Sequence, residues 1–282
     1  MKKITIISVL AALSLLSGCI ESTTLLDIKR DGTGQIVVRE CFSPQITQMM
    51  EGMGGMFAGM GESEQPAEKA DIFQDMIEGN IADFGPGVEL VKSKRISNKQ
   101  GWKGYEATYA FKDINQLTVT IGDSEQDGTE EDAETQEEDN SPQFTFQFSA
   151  GDPAVLKIIP APMDEPESGQ SEAGAEEAMA EQMGNDMMAG MGAMMGPMLQ
   201  GMKLAFIVRV EDDIKQSNAA HRSEKHPNVV TVMYMPVDKM IGNPEAMKIL
   251  QSDDKDSLAR IEKMNIPGLK LEDPGKTIEI EF

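Results

Sequence analysis

One stretch decides the fold of this chain: Thr24-Leu25-Leu26-Asp27-Ile28-Lys29-Arg30-Asp31-Gly32-Thr33-Gly34. Its first part has the composition of a β-strand, and Asp31-Gly32 supplies the positive φ angles that a tight hairpin turn needs. Residues 35–42 are strand-like again and include Cys41. We therefore expect a β-hairpin, to which the rest of the chain adds further strands.

More strand-like segments follow this hairpin. Residues 88–97 and 102–111 flank a turn, and alternate phenylalanines indicate a half-buried strand at 144–148. Further strands are predicted at 117–121, 155–159, 204–210, 229–235 and 278–282. The last of these reads as an edge strand. The segment around Asn218 and His221 is expected to continue the strand at 204–210.

Helices interrupt the strands. Residues 66–84 are predicted as a helix because their apolar residues recur on one face, and Gly85-Pro86-Gly87 ends it. Ser43-Pro44 and Asn243-Pro244 have the capping residue and first-turn proline of helix starts. A short helix is expected at 256–264. The sequence thus predicts an α+β fold, a mainly antiparallel sheet of β-hairpins packed by a few helices, Met-rich ones among them.

The N-terminus has the three parts of a signal peptide. Lys2 and Lys3 are followed by an uncharged apolar run at 4–16 and by the small residues Ser17 and Gly18. As a helix this run spans roughly 20 Å, which is too short for an ordinary transmembrane helix. The alternative is an uncleaved membrane anchor. No later segment is long and apolar enough to be a span.

Leu16-Ser17-Gly18-Cys19 resembles the lipobox of bacterial lipoprotein precursors. The resemblance implies cleavage after Gly18 and a diacylglyceryl group on the thiol of Cys19. Residues 1–18 would then be the signal peptide, and 19–282 a single lipid-anchored domain that faces the periplasm. Because Ile20 replaces the aspartate that usually retains lipoproteins in the inner membrane of enteric bacteria, the resemblance favours the outer membrane.

The hairpin stretch 24–34 resembles the opening of LppM-type bacterial lipoprotein domains. Asp213-Ile214-Lys215-Gln216-Ser217-Asn218 and Val229-Val230-Thr231-Val232 resemble a later strand pair of the same domains. About forty residues are covered, and the motifs are structural. The chain departs from that pattern in its Met-rich and acidic insertions and in having no C-terminal transmembrane helix. The resemblance implies an exported α+β module and no catalytic residues.

The distance between Cys19 and the hairpin limits where the domain lies. Only residues 20–23 separate the two, and even fully extended they span about 15 Å. We therefore expect the domain to lie against the membrane surface. Lipidation of Cys19 also leaves Cys41 without an intramolecular partner, so no disulfide is expected, and a buried inert thiol is the better interpretation of Cys41.

Charge excludes one class of partner. The chain has 48 acidic against 25 basic side chains, a formal net charge of −23. A field of this sign repels phosphate backbones, so nucleic acid is not an expected partner. The acidic stretch 123–140 is predicted to be a disordered loop, and 160–174 a flexible connector within the single domain. Residues 123–134 nearly fit a calcium-binding loop, but the flanking helices that such a loop needs are missing.

Methionine is the most unusual component, with 22 residues. Five fall between 49 and 60 and nine between 179 and 202, and seven of the nine recur at steps of three or four, which places them on one stripe of a predicted helix. Thioethers suit packing or an adaptable surface for a protein partner or an apolar ligand. The alternatives are soft-metal binding of Cu(I) or Ag(I) and oxidant scavenging. Gly192 and Gly196 add a GxxxG spacing that favours close contact with another helix or the membrane interface.

No catalytic constellation is visible. The sequence has no Gly-x-Ser-x-Gly elbow, P-loop or zincin motif, and the two histidines, His221 and His226, read as exposed turn residues. We expect neither a catalytic site nor a cofactor. The sequence therefore predicts a non-enzymatic cell-envelope lipoprotein that binds a protein partner or apolar ligand, with an envelope Cu(I)/Ag(I)-binding protein as the alternative.

Overall fold

The fold is given by a computed structural model that describes residues 20–50, 71–98, 101–121, 142–161, 201–241 and 257–282. Residues 243, 245, 246 and 249 are described as well. Several predictions fall on other residues and lie outside the described part of the chain. These are the signal peptide with Gly18 and Cys19, the acidic loop at 123–140, almost all of the connector at 160–174 and most of both Met-rich segments.

The described strands form two sheets, which we call sheet A and sheet B. Sheet A has seven strands in the order β11-β10-β8-β1-β2-β4-β3, and sheet B has five in the order β5-β6-β7-β12-β9. The bounds in sheet A are β1 Ile20–Ile28, β2 Gly34–Phe42, β3 Glu89–Ser97, β4 Lys103–Phe111, β8 Lys203–Val210, β10 Val229–Pro236 and β11 Lys270–Leu271. Those in sheet B are β5 Thr118–Thr120, β6 Gln143–Ser149, β7 Val155–Pro160, β9 Gln216–Ser217 and β12 Ile278–Glu281.

The predicted hairpin is present as β1 and β2. Their register runs from Ile20 opposite Phe42 to Ile28 opposite Gly34. The Asp31 carboxylate accepts hydrogen bonds from both the backbone N–H and the hydroxyl of Thr33, and Gly32 has a φ of 81°. The prediction of a tether at 20–23 is wrong, because these residues pair with β2 and all but Ile20 pair with β8 as well. Strand pairing satisfies their backbone groups, which a free tether would leave to water.

Two strands take positions that the sequence pattern did not indicate. β8 lies beside β1 and runs parallel to it, whereas every other pairing among the described strands is antiparallel. The segment at 216–217 does not continue β8 but joins sheet B beside β12. β12 is therefore not an edge strand, since β7 pairs with its other side. Ile278, Ile280 and Phe282 are buried accordingly.

One hydrophobic core cluster includes residues of both sheets. We call the face of sheet A that carries Leu26 and Ile28 its inner face. From this face Phe206 contacts Phe144 of sheet B, with ring centroids 5.1 Å apart. The alternation predicted in β4 is confirmed, because Tyr105, Ala107, Tyr109 and Phe111 are all buried. Whether 19–282 is a single domain stays a prediction.

The helices are short. The helix predicted at 66–84 is described from Asp71 onward and runs as α1 over Ile72–Asp83, and Gly85 follows it with a φ of 95°. Ser43 caps a helical segment at 44–50, where its hydroxyl accepts a hydrogen bond from the N–H of Ile46. The remaining named helices are α2 over Val237–Ile241 and α3 over Ser257–Glu262. The predicted α+β fold with mainly antiparallel hairpins is confirmed.

Candidate functional site

A cleft of about 80 Å³ lies between the inner face of sheet A, α1 and β5. Strand alternation explains its floor, because every second residue of β1 faces the same side. Ser22 of β1 lies opposite Glu40 of β2 and Leu204 of β8, so the three side chains form one row across the sheet. The lining consists of Ile20, Ser22, Thr24, Val38, Glu40, Phe42, Asn80, Asp83, Phe84, Thr120, Ile121, Met202 and Leu204.

A hydrogen-bond network anchors the polar side of the cleft. The hydroxyl of Tyr105 donates to Glu40 Oε2 over 2.8 Å, and Ser22 Oγ donates to Glu40 Oε1 over 3.4 Å. The side-chain amide of Asn80 donates to the hydroxyls of Tyr105 and Tyr109, and Tyr109 in turn donates to the carbonyl of Ile77. The network therefore joins three strands of sheet A to α1.

The two tyrosines stay protonated over the whole physiological range. Burial is the main cause, with the Glu40 carboxylate adding to it, and it raises the pKa of Tyr105 far above its usual value. Burial also raises the pKa of Tyr109 to about 12. Tyr105 is therefore a fixed hydrogen-bond donor that holds Glu40 in one orientation. A phenol with so high a pKa does not act as a proton-transfer group near neutral pH.

The chemistry of the lining limits what the cleft can hold. Seven of the thirteen lining residues are apolar, whereas the ionisable groups among them are the carboxylates Glu40 and Asp83. No lysine, arginine or histidine lines the cleft in the described part of the chain. An anionic group is therefore disfavoured here, and an apolar body or one with a hydrogen-bond donor fits.

The Met-rich segments are described only at their ends. Met202, the last methionine of the second segment, lines the cleft. Met49 and Met50 lie on the helical segment at 44–50, and Met49 is 45% exposed. The other methionines of both segments lie outside the described residues, as do the predicted calcium-like loop and the GxxxG spacing. Soft-metal binding by the thioethers stays a prediction from the sequence.

The remaining sequence candidates do not join the cleft. Cys41 is a buried free thiol on β2, and burial raises the pKa of this thiol, as expected for an inert cysteine. His226 is exposed as predicted. His221 is not an exposed turn residue: it is half-buried, and its Nε2 is hydrogen-bonded to the carbonyl of Leu271. The described residues contain no cluster of three or more histidine, cysteine or acidic side chains that could hold a metal ion.

Sequence reasoning missed Glu40, Asn80 and Tyr105 as members of a site. One signal was available, because Glu40 occurs on the same face of β2 as Ile36, Val38 and Phe42, where an apolar residue is the rule. An acid at such a position indicates a buried partner or a cleft. The contribution of α1 could not be found this way, since it depends on how the helix packs on the sheet.

No protein-family model matches this chain, and no curated protein does. Among solved structures it is similar to the NMR structure of the Mycobacterium tuberculosis LppM protein folded domain. The two share 8% identity over 76% of this chain and 81% of that one, with a TM-score of 0.29. A score this low does not establish a shared fold. In the described residues, no helix is long and apolar enough to cross a membrane.

Proposed function

We propose that this chain is a non-enzymatic lipoprotein of the bacterial cell envelope, held by a lipid on Cys19 and facing the periplasm. It binds a protein partner or an apolar ligand through its Met-rich helices, of which Met49, Met50 and, in the cleft, Met202 are described. The outer membrane is the proposed location, because Ile20 and not an aspartate follows Cys19.

The position of β1 is the observation that supports this proposal most. β1 begins at Ile20, and Cys19 is bonded directly to that residue. In the described part of the chain, β1 is paired with β2 from Ile20 onward and with β8 from Glu21 onward, so paired strand lies within one residue of the proposed attachment point. This is the arrangement expected if the chain is cleaved before Cys19 and then functions as a folded domain on a lipid.

The cleft supports binding of an apolar group. Met202, at the end of the second Met-rich segment, lines the cleft together with Leu204, which lies in the same row of side chains as Ser22 and Glu40. Methionine adapts its shape to a bound surface at low conformational cost, which suits recognition of an apolar ligand or side chain.

Replacing the two cysteines separately tests the anchor. We expect Cys19→Ala to abolish incorporation of radiolabelled palmitate and to release the chain from membranes, or to leave it uncleaved. The matched control is Cys41→Ala, which removes a buried thiol from β2 and is expected to keep both labelling and membrane association. Correct processing and membrane retention of the Cys19→Ala chain would refute the proposed anchor.

A neutral environment-sensitive dye such as Nile red tests the cleft. We expect the Leu204→Glu substitution to lower the affinity of the purified chain for the dye by about tenfold, because a charged side chain among the apolar lining residues is costly to desolvate. The matched control is Val91→Glu, since Val91 on β3 is 55% exposed and lies outside the cleft. Equal affinity for both variants would mean that the cleft is not the binding site.

A further inference from the structure

We propose that one end of sheet A is the membrane-contact surface of this protein, so that the strands of the sheet stand upright on the bilayer. This inference rests on the lipid anchor of the proposed function. We call this end the anchor rim and define it by the residues at the adjoining strand ends: Ser97, Lys103, Phe42, Ile20, Lys203 and Pro236.

Chain connectivity places the rim at the lipid. Consecutive Cα atoms lie about 3.8 Å apart, so Cys19 cannot be further than that from the rim residue Ile20. β1 lies inside sheet A, between β2 and β8, and not at an edge. A lipid on Cys19 therefore places the middle of the rim at the bilayer. No linker of several residues separates the lipid from the sheet, so the orientation of the sheet is restricted.

The two ends of sheet A also differ in charge. An upright orientation requires the end at the bilayer to be the less negative one. Within two residues of the anchor rim, the described charged side chains are the bases Arg95, Lys103 and Lys203 and the acids Glu21, Glu40 and Asp238. The opposite end, which we call the distal end, consists of the turn at 29–33, residues 211–213 and the residues that follow β4. It carries the acids Asp31, Glu211, Asp212, Asp213 and Asp113 against the bases Lys29, Arg30 and Lys112.

A chain with a net charge of −23 is repelled by anionic lipid head groups unless it presents its least negative surface to them. Among the described residues the anchor rim is the less negative of the two ends, because its three acids are balanced by three bases, whereas the distal end has five acids against three bases. The distal end, in contrast, would be pushed away from the bilayer. Charge and covalent attachment therefore favour the same orientation.

A helical segment with an exposed apolar side chain begins at the same rim. This segment, at 44–50, starts two residues after Phe42, where Ser43 caps it, and its Met49 is 45% exposed. A thioether on a segment that begins at the rim can enter the interfacial region of the bilayer. Because each strand residue rises about 3.3 Å, the length of β1 separates the distal end from the rim by roughly 26 Å.

The tryptophan of this chain is a natural probe of the proposed orientation. Trp102, the only one in the sequence, directly precedes Lys103 of the rim. We propose to measure its quenching in the lipidated full chain, in phosphatidylethanolamine–phosphatidylglycerol vesicles that contain lipids with a nitroxide at shallow depth. The matched control is Trp102→Phe with Lys29→Trp, which moves the fluorophore to the exposed distal turn.

We expect quenching of Trp102 to exceed that of the tryptophan at position 29 several-fold. Lys103→Glu with Lys203→Glu should lower the quenching of Trp102, whereas Lys112→Glu at the distal end should not. Equal quenching at both positions in a chain whose mass shows the lipid would refute the upright orientation and leave the anchor intact. A chain whose mass shows no lipid would instead refute the proposed function on which this inference rests.

Discussion

The two ends of sheet A are held together by different interactions. At the anchor rim, aromatic side chains pack on one another: Phe73 of α1 lies 5.8 Å from Phe42 and 6.4 Å from Tyr105, and Arg95 lies over its ring at 5.1 Å. At the distal end, ion pairs join separate loops. Arg30 pairs with Asp212, and beside this end Asp152, which lies 3.9 Å from Arg30, contacts Lys215 over 3.0 Å.

This difference has a physical consequence. Apolar packing depends on the area removed from water and is insensitive to salt and to moderate changes of pH. Exposed ion pairs are screened by salt and are lost when the carboxylate is protonated. The rim, which we propose meets the bilayer, also has an exposed ion pair between Arg95 and Asp71, but aromatic packing makes its cohesion depend less on ions than that of the distal end. The three predictions below test this difference between the ends.

The largest effect is expected for Gly104→Ala at the rim. A Cβ at this position would lie 1.9 Å from the carbonyl oxygen of Glu40, which is closer than any real Cβ contact, so β2 and β4 would have to separate. We expect a loss of about 3 kcal/mol or more in the free energy of unfolding. Urea denaturation monitored by circular dichroism measures it.

The matched control for this change is Gly79→Ala. Gly79 lies within α1, and a Cβ there meets no atom within 4 Å. Alanine is the better helix former, so a gain of about 0.5–1 kcal/mol is expected. Tolerance of alanine at Gly104 would show that the two strands are not as closely packed as described.

A smaller effect is expected for Tyr105→Phe. The change removes the donor to Glu40 and the acceptor of Asn80 while keeping the buried ring. Because the two partners are left in a half-buried site, the free energy of unfolding should fall by about 1–3 kcal/mol. Tyr234→Phe, on the half-exposed outer face, should stay within about 0.5 kcal/mol. A similar loss for both would mean that the Glu40 network does not stabilise the rim.

The smallest effect is expected for Asp152→Asn, and it should depend on pH. The ammonium group of Lys215, with a smaller contribution from Arg30, lowers the pKa of Asp152. A carboxyl whose pKa is lowered in the folded state stabilises above its unfolded pKa of about 3.9 and loses that contribution as the pH falls through the folded value.

The Asp152→Asn chain should therefore lose less Tm than the unmodified chain when the pH is lowered from about 7 to about 3. Asp31 and Asp113 also have lowered pKa values and keep their share of the acid sensitivity, so the difference should be small. Thermal unfolding followed by circular dichroism measures it. Identical losses for the two chains would show that this ion pair contributes nothing.

Local patterns predicted the elements of this fold better than their arrangement. The turn at Asp31-Gly32, the alternation in β4 and the cap at Ser43 depend on neighbouring residues, and all three are present in the structure. The parallel pairing of β8 with β1 and the internal position of β12 depend on contacts between distant parts of the chain. No short-range pattern specifies such contacts.

The cleft, like the fold, was only partly predictable from the sequence. The alternation of β2 places Glu40 on the inner face, and this much is readable from the sequence. The approach of Asn80 to Tyr105 depends on how α1 packs on the sheet. The prediction of a tether at 20–23 was wrong for a related reason. A run such as Glu21-Ser22-Thr23 is ordinary in a loop, and its pairing with β2 and β8 is what makes it a strand.

The most direct test is the mass of the N-terminal peptide of the chain purified from bacterial membranes. The prediction is a peptide that begins at Cys19, continues with Ile20 and carries the added mass of a diacylglyceryl group on the thiol. The Cys41 peptide should be unmodified in the same digest. An unmodified Cys19, or a chain that still begins with residues 1–18, would contradict the lipid anchor from which the proposed function and orientation follow.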